Sequence, residues 1–391
     1  MKKGIESVVA VAMLLAAALT HAAPLSAQAI EVPFEPSRWT VDAPRAEFVE
    51  HLGRRSLRIG GGSALLHDVR FEDGTIEVDV SGPPSGFAFL VFRATSPKDH
   101  EDVYLRMGLS GTPDALQYMP MYGGMGAWQL YHGTGYTANV TFDPATWTHL
   151  RVEVEGRRAT VFVGAATVPT MVSELKGGDG PGAIGLLEGS TFGIPAGVVF
   201  SNFRYTLRPP RAATLTAADA PNTKPGVIRD WALSPAVAVE RSPTDSLPGA
   251  SLPTAVRSPR SGWLPVRAEA DGLLNIAKYR AMAGPLSLVV ARTVVHADRD
   301  EVRRLVFGYS DDVTIFLNGR PLFTARNGLS ARYSTDFGLM TPDDAVYLPL
   351  RRGDNELLFA VAESFGGWGL VARLDDGVAM HAAMRAGAPT R

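Results

Sequence analysis

Alternation with a period of two residues runs through this chain, and almost no stretch carries the 3.6-residue apolar rhythm of an amphipathic helix. In Thr75-Ile76-Glu77-Val78-Asp79-Val80, the residues Ile76, Val78 and Val80 fall on one face and Glu77 and Asp79 on the other. Val103, Leu105 and Met107 alternate in the same way with Asp102, Tyr104 and Arg106. His149 to Val154 alternates too, then turns through Glu155-Gly156-Arg157-Arg158 into Ala159 to Val163, which reads as a hairpin. Phe87 to Arg93 is apolar on both faces and predicts a central strand covered on both sides. Further strands are expected at Gly182 to Leu187 and Val198 to Tyr205. With 40 glycines and 28 prolines to punctuate them, these short strands predict an antiparallel sandwich and exclude an α/β sheet.

Between Pro209 and about Val227 the rhythm stops in a Pro-, Ala-, Thr- and Asp-rich stretch that reads as a linker. Strands resume around Trp231, and a Pro- and Ser-rich run from Arg241 to Ser261 reads as a long loop inside a second domain. Segments at 263–266, 273–279, 286–295, 301–309, 313–317, 321–324, 345–350, 355–362 and 369–373 predict a second antiparallel sandwich. Phe316-Leu317-Asn318-Gly319-Arg320-Pro321-Leu322 is the strongest local signal, because Asn-Gly between apolar runs suits a type I′ turn with positive φ at both central residues.

The first residues have the pattern of a secretory signal. Lys2 and Lys3 precede an apolar stretch from Val8 to Leu19, and Ala27-Gln28-Ala29 offers small residues for cleavage. That stretch is short of the roughly 20 residues a membrane span needs. Periplasmic or secreted localisation is therefore expected. The chain has no cysteine, so neither disulfides nor thiolate chemistry contribute, and two apolar cores must carry the fold. A formal charge of −2 without a basic stripe argues against nucleic acid and anionic membranes as partners. The expected organisation is a signal peptide at 1–29, a sandwich at 30–208, a linker at 209–225, a second sandwich at 226–385 and a tail at 386–391.

Phe71 to Val80 resembles the entry strand of concanavalin A-like (laminin-G-like) jelly rolls. Phe89 to Arg93, Trp147 to Val154 and Phe200 to Tyr205 look like later strands of that fold. Among such domains, those of the 3-keto-disaccharide hydrolase type and laminin-G-like domains of exported proteins are the look-alikes. Tyr309 to Gly319 and Arg352 to Leu357 are similar to segments of galactose-binding-like jelly rolls, the kind that accompany family 2 glycoside hydrolases and serve as carbohydrate-binding modules. These resemblances imply two jelly rolls in tandem and an oligo- or polysaccharide as partner; they do not distinguish lectins, glycosidases and adhesion modules.

Sugar recognition uses flat aromatic faces together with planar donors and acceptors. The residues left outside the core parity, Glu77, Asp79, Arg93, Tyr104, Arg106, Gln117, Tyr118, Trp128, Tyr131 and His132, form one candidate groove if their strands share a sheet. The opposing reading makes Glu77, Asp79, Arg93 and Arg106 cross-strand ion pairs on a solvated surface. For hydrolysis of a glycoside or 3-keto-glycoside the acidic candidates are Glu77, Asp79 and Asp102. Glu77 and Asp79 would stand about 6.5–7 Å apart from the strand rise alone. A purely structural envelope or adhesion module is the third class. No cofactor is expected. A structural Ca²⁺ fits the fold, with Asp68, Asp73, Asp99 and Asp143 in loops, although no spacing selects a ligand set. The eight histidines show no zinc-site spacing. No P-loop and no G-x-S-x-G elbow occurs, and the glycine clusters read as turns. In Glu363-Ser364-Phe365-Gly366-Gly367-Trp368-Gly369, Phe365 and Trp368 are expected to plug the end of the second sandwich rather than to present a stacking platform.

Overall fold

The computed structural model describes residues 28–178, 180–190, 195–209, 224–242, 262–332 and 337–375. The expected signal peptide, most of the linker, most of the Arg241–Ser261 loop and the tail lie outside the described residues.

Two eight-stranded antiparallel sheets form the first sandwich. In one, the strands run in the order Met171–Glu174, Arg158–Val163, Thr148–Glu155, Asp73–Ser81, Val198–Arg208, Arg54–Gly60, Arg45–His51, with Ile30–Glu31 beside Val198–Arg208. In the other the order is Met125–Gly126, Leu116–Tyr122, Asp99–Arg106, Gly86–Ser96, Gly182–Ser190, Gly62–Phe71, Thr40–Asp42, with Thr137–Ala138 beside Leu116–Tyr122. The period-two parity decides the core. Ile76, Val78, Val80, Leu90, Val103, Leu105, Leu150, Val152 and Phe200 are fully buried between the sheets. Each such side chain contributes about 1.5–3 kcal/mol of burial. Gly86–Ser96 lies mid-sheet and is covered on both faces, as its unbroken apolar run requires.

Residues 227–374 hold a second pair of sheets. The larger runs Leu264–Arg267, Asp230–Leu233, Ser287–Ala297, Gly353–Glu363, Asp312–Leu317, Arg320–Arg326, with Val237–Ala238 attached to Ser287–Ala297. The smaller runs Leu274–Asn275, Gly369–Leu374, Glu301–Ser310, Asp344–Leu350. Trp231, Phe307, Tyr309, Ile315, Phe359 and Trp368 fill the space between them. Asn318 and Gly319 have φ of 50° and 78°, the two positive values a type I′ turn demands. The strand expected over 273–279 is shorter. After Leu274–Asn275 the chain coils into a single 3₁₀ turn, Ile276–Lys278, because the Asn275 side chain accepts a hydrogen bond from the Ala277 N–H.

The sandwiches are joined through the turn Ala127–His132. Gln129 is fully buried and every polar group it has is used across the joint. Its N–H donates to Gly366 O at 2.9 Å and its O accepts from Met340 N at 2.9 Å. Nε2 donates to Phe337 O at 2.9 Å, and Oε1 accepts from Ser310 Oγ at 3.0 Å. Ala127, Leu130 and Tyr131 pack with Leu273 and Met340 beside it. The expected plug is half realised. Trp368 is buried and its indole donates to Val361 O at 3.2 Å, whereas Phe365 is 59% exposed. The bend between them explains the difference. Gly366 and Gly367, at φ of 105° and 146°, let the loop lie directly on Gln129 and Leu130, which turns Phe365 outward.

A Cβ on Gly366 would lie 2.3 Å from Gln129 Oε1. Gly366→Ala is therefore expected to cost about 1–3 kcal/mol through strain and overlap and to open the joint while both cores persist. Calorimetry is then expected to resolve two transitions in the variant and one in the parent; an unchanged thermogram would refute this.

Candidate functional site

The outer face of the sheet containing Asp99–Arg106 carries a side-chain layer of its own. Leu65, Phe89, Val91, Tyr104 and Met119 are buried there, with Phe87, Met121, Trp128 and Leu187 packed around them. Register sets the rows. Tyr104 stands between Phe89 and Gln117, Asp102 between Val91 and Met119, and Arg106 opposite Phe87. The Phe89 and Tyr104 rings stack with centroids 4.3 Å apart. The Arg106 guanidinium lies 5.0 Å from the Tyr104 ring, 5.8 Å from Phe87 and 5.9 Å from Trp128. It donates to Asp114 O at 2.8 Å, to the Tyr104 hydroxyl oxygen at 2.9 Å and to Gln117 Oε1. Gln117 Nε2 then donates to the carbonyls of Trp128 and Tyr131, each at 2.9 Å. Tyr104, Arg106, Gln117 and Trp128 are thus brought together on one face.

The second sandwich extends this surface. Phe365 and Phe337 lie 6.1 and 6.4 Å from the Trp128 ring and are 59% and 42% exposed. Deeper in the same face, His100 and Asp102 form a buried pair with Nε2 and Oδ2 3.2 Å apart. Among the described residues His100 Nδ1 and Asp102 Oδ1 have no hydrogen-bond partner, an unusual state for buried polar atoms. Burial pushes the Asp102 carboxyl up to about 6, against the pull of His100. His100 escaped the sequence reading although it sits at i−2 from Asp102 on the same strand; extending the parity of Asp102, Tyr104 and Arg106 by one step reaches it.

Other expected site residues lie elsewhere. Glu77 and Asp79 belong to the opposite sheet, so they do not share a groove with Tyr104 and Arg106. His149 bridges them, Nδ1 to Asp79 at 2.6 Å and Nε2 to Glu77 at 3.1 Å. Arg204 donates to Glu77, and Arg54 and Asn202 donate to Asp79. The two carboxylates are neutralised by cross-strand partners. Arg93 closes one end of the sandwich, donating to Glu72 O at 2.9 Å, Asp73 at 3.1 Å and Gly156 O at 2.6 Å. Tyr118 points into the core, accepts from Lys176 N at 2.6 Å and donates to buried Glu101. Tyr131 and His132 are taken up by the joint, Tyr131 donating to Glu269 at 2.6 Å and His132 reaching Met340 O at 3.0 Å. Among the described residues no group of three or more His, Asp or Glu could hold a metal ion, and no helix is long and apolar enough to cross a membrane.

The 3-keto-alpha-glucoside-1,2-lyase-like domain family matches residues 37–206, within the first sandwich. Similar solved structures include the carbohydrate binding module CBM66 from Bacillus subtilis, at 17% identity over 43% of this chain and 95% of the module, with a TM-score of 0.34. The Bacillus licheniformis β-glucanase is 13% identical over 47% of this chain and all of its own length, with a TM-score of 0.35. The Ca²⁺/Man3GlcNAc-bound exoplasmic/lumenal domain of VIP36 is 14% identical over 48% and 90%, with a TM-score of 0.34. No curated protein matches the chain.

The Glu77–His149–Asp79 bridge gives a signed pH dependence. Hydrogen bonding from His149, then Arg204, holds Glu77 down to about 2 despite burial, and Asp79 with Glu77 raises His149 to about 9. The Glu77 contribution is present above its ordinary value near 4.5 and is lost as pH falls toward 2. The His149 contribution is complete below 6.5 and is lost as pH rises through 9. Melting temperatures between pH 7 and 10 should fall more steeply in the parent than in His149→Phe; parallel curves would refute the bridge.

Proposed function

We propose that the outer face centred on Tyr104, Arg106 and Trp128 binds a saccharide. The observation that supports this reading most is the pairing of an aromatic rim with a buried polar floor. The half-buried rings of Phe87 and Trp128, continued by exposed Phe365, suit the C–H-rich faces of pyranose rings. Arg106 and Gln117 are held rigidly by one another and by Tyr104, so their orientation is set before a ligand arrives. His100 Nδ1 and Asp102 Oδ1, without a partner among the described residues, are polar atoms of the kind that sugar hydroxyls satisfy, reached only when the side chains covering them shift. The 3-keto-alpha-glucoside-1,2-lyase-like match over the same sandwich supports a saccharide ligand. Export to the periplasm or medium, from the Lys2–Ala29 pattern, belongs to the same reading.

A second reading is favoured by Asp102 alone. In a 3-keto-glucoside the C2 proton is acidic because it lies next to the ketone. A base takes that proton, the electron pair of the C2–H bond becomes the C1–C2 double bond, and the C1–O bond breaks. The glycosidic oxygen leaves with a proton delivered by a general acid or water. A carboxylate pushed up to about 6 has the basicity such a step needs near neutral pH, and His100 beside it can relay the proton.

Phe365 makes a clean test because it is exposed and belongs to neither core. Phe365→Ala should weaken oligosaccharide binding about five- to tenfold, with the melting temperature unchanged, in a calorimetric titration of a glycan identified on an array. Equal affinity for parent and variant would remove the rim from the site. For the lyase reading, elimination from a 3-keto-glucoside should fall below about pH 6 and disappear in Asp102→Asn; turnover by that variant at the parent rate would exclude Asp102 as the base.

A further inference from the structure

A cleft lies where the two sandwiches meet, away from the aromatic face. Its volume is about 450 Å³, and it is lined by Tyr136, Arg158, Glu174 and Lys176 of the first sandwich and by Glu269 and Lys278 of the second. Its size is within the range of small-molecule sites, which favour domain boundaries.

The charges in its wall are unevenly matched. Lys176 holds both glutamates, with Nζ 2.7 Å from Glu174 and 2.7 Å from Glu269. Tyr131 donates to the other oxygen of Glu269, so the acidic side of the cleft is already occupied. Lys278 is different. No carboxylate among the described residues pairs with it, and its ammonium rests 5.7 Å from the Tyr122 ring centroid. Lys278 is exposed at the cleft; partial desolvation lowers its affinity for a proton, Glu269 and Glu101 oppose this, and Arg157 and Lys176 add to it. Arg158, exposed at the rim, likewise forms no ion pair with a described residue. An exposed cation with no carboxylate paired to it, and with Arg157 and Lys176 nearby, is a place where a bound anion is favourable.

We propose that this cleft binds a monoanionic, carboxylate-bearing ligand, its carboxylate on Lys278 and Arg158 and its body against Tyr136. A single negative charge fits better than a phosphate dianion, because Glu174, Glu269 and Asp271 stand in the same wall. A sugar acid is the chosen ligand class because the aromatic face is read as a saccharide site; the anion site itself does not rest on that reading. Because the cleft draws its wall from both sandwiches, an occupied cleft also strengthens the joint.

The test is calorimetric titration of the full chain with D-glucuronate, D-glucose and inorganic phosphate, in parent, Lys278→Gln and Phe365→Ala. Glucuronate should bind at least about tenfold tighter than glucose and than phosphate. Lys278→Gln should remove about tenfold or more of that affinity without altering the ligand-free melting temperature, and Phe365→Ala should leave it intact. Glucuronate no tighter than glucose, phosphate tighter than glucuronate, or an unchanged Lys278→Gln variant would each overturn the proposal. Loss in Phe365→Ala but not in Lys278→Gln would place the sugar acid on the aromatic face and overturn it too. Should Phe365→Ala prove silent toward neutral glycans while Lys278→Gln loses glucuronate, the aromatic-face reading falls and the cleft stands.

Discussion

Gln129 holds the molecule together as one object. Its backbone N–H and C=O and its side-chain amide N and O each make a hydrogen bond to a group of the other sandwich or its loops. A buried amide left with any of these unmade would cost about 1–3 kcal/mol, so the arrangement tolerates little displacement. The Gly366–Gly367 bend is shaped around this residue, and the exposed position of Phe365 follows from the bend. Gln117 carries the same constraint back into the first sandwich. Its side-chain amide fixes the carbonyls of Trp128 and Tyr131 on either side of Gln129. The joint and the aromatic face are therefore one hydrogen-bonded construction with two consequences.

The two sheets of the first sandwich solve the problem of outward-facing charge differently. On the Asp73–Ser81 side, cations from neighbouring strands neutralise each carboxylate, and Glu77 and Asp79 stay ionised well below neutral pH. On the Asp99–Arg106 side, the carboxylate of Asp102 is buried in a face rich in rings and methionines and hydrogen-bonded to His100, and the proton is held more tightly. The same residue type is thus an inert ion-pair member in one sheet and a group poised near physiological pH in the other. That contrast, and not the density of acidic residues, separates a candidate site from a solvated surface.

Much of the fold was legible. Ile76, Val78 and Val80 went inward, the Glu155–Arg158 turn closed a hairpin, and Asn318-Gly319 made its type I′ turn, because each depends only on local periodicity or local φ. Of the candidate site, Tyr104 and Arg106 could be read from strand parity, and Gln117 and Trp128 from their place just after them. Tyr118 could not, since Leu116–Tyr122 turns Gln117 outward and Tyr118 into the core, and the segment had no recognised parity to say so. Glu77 and Asp79 were legible as a pair but not as members of the opposite sheet, because strand order is set by long-range pairing.

The sequence by itself determined that this chain is built from antiparallel strands, which side chains face the cores, and where its sharp turns fall. Those properties follow from two-residue periodicity and from the φ values that glycine and asparagine permit. Only the tertiary structure decided that the polar and aromatic segment ending at His132 serves two purposes. Its strand residues build a face, and its final turn locks into a loop more than two hundred residues further on, Gln129 reaching Gly366 and Phe337. The cleft with Lys278 opposite Lys176 was equally out of reach. Charges more than a hundred positions apart become neighbours only when two independently patterned sandwiches dock, and no local rhythm encodes the docking.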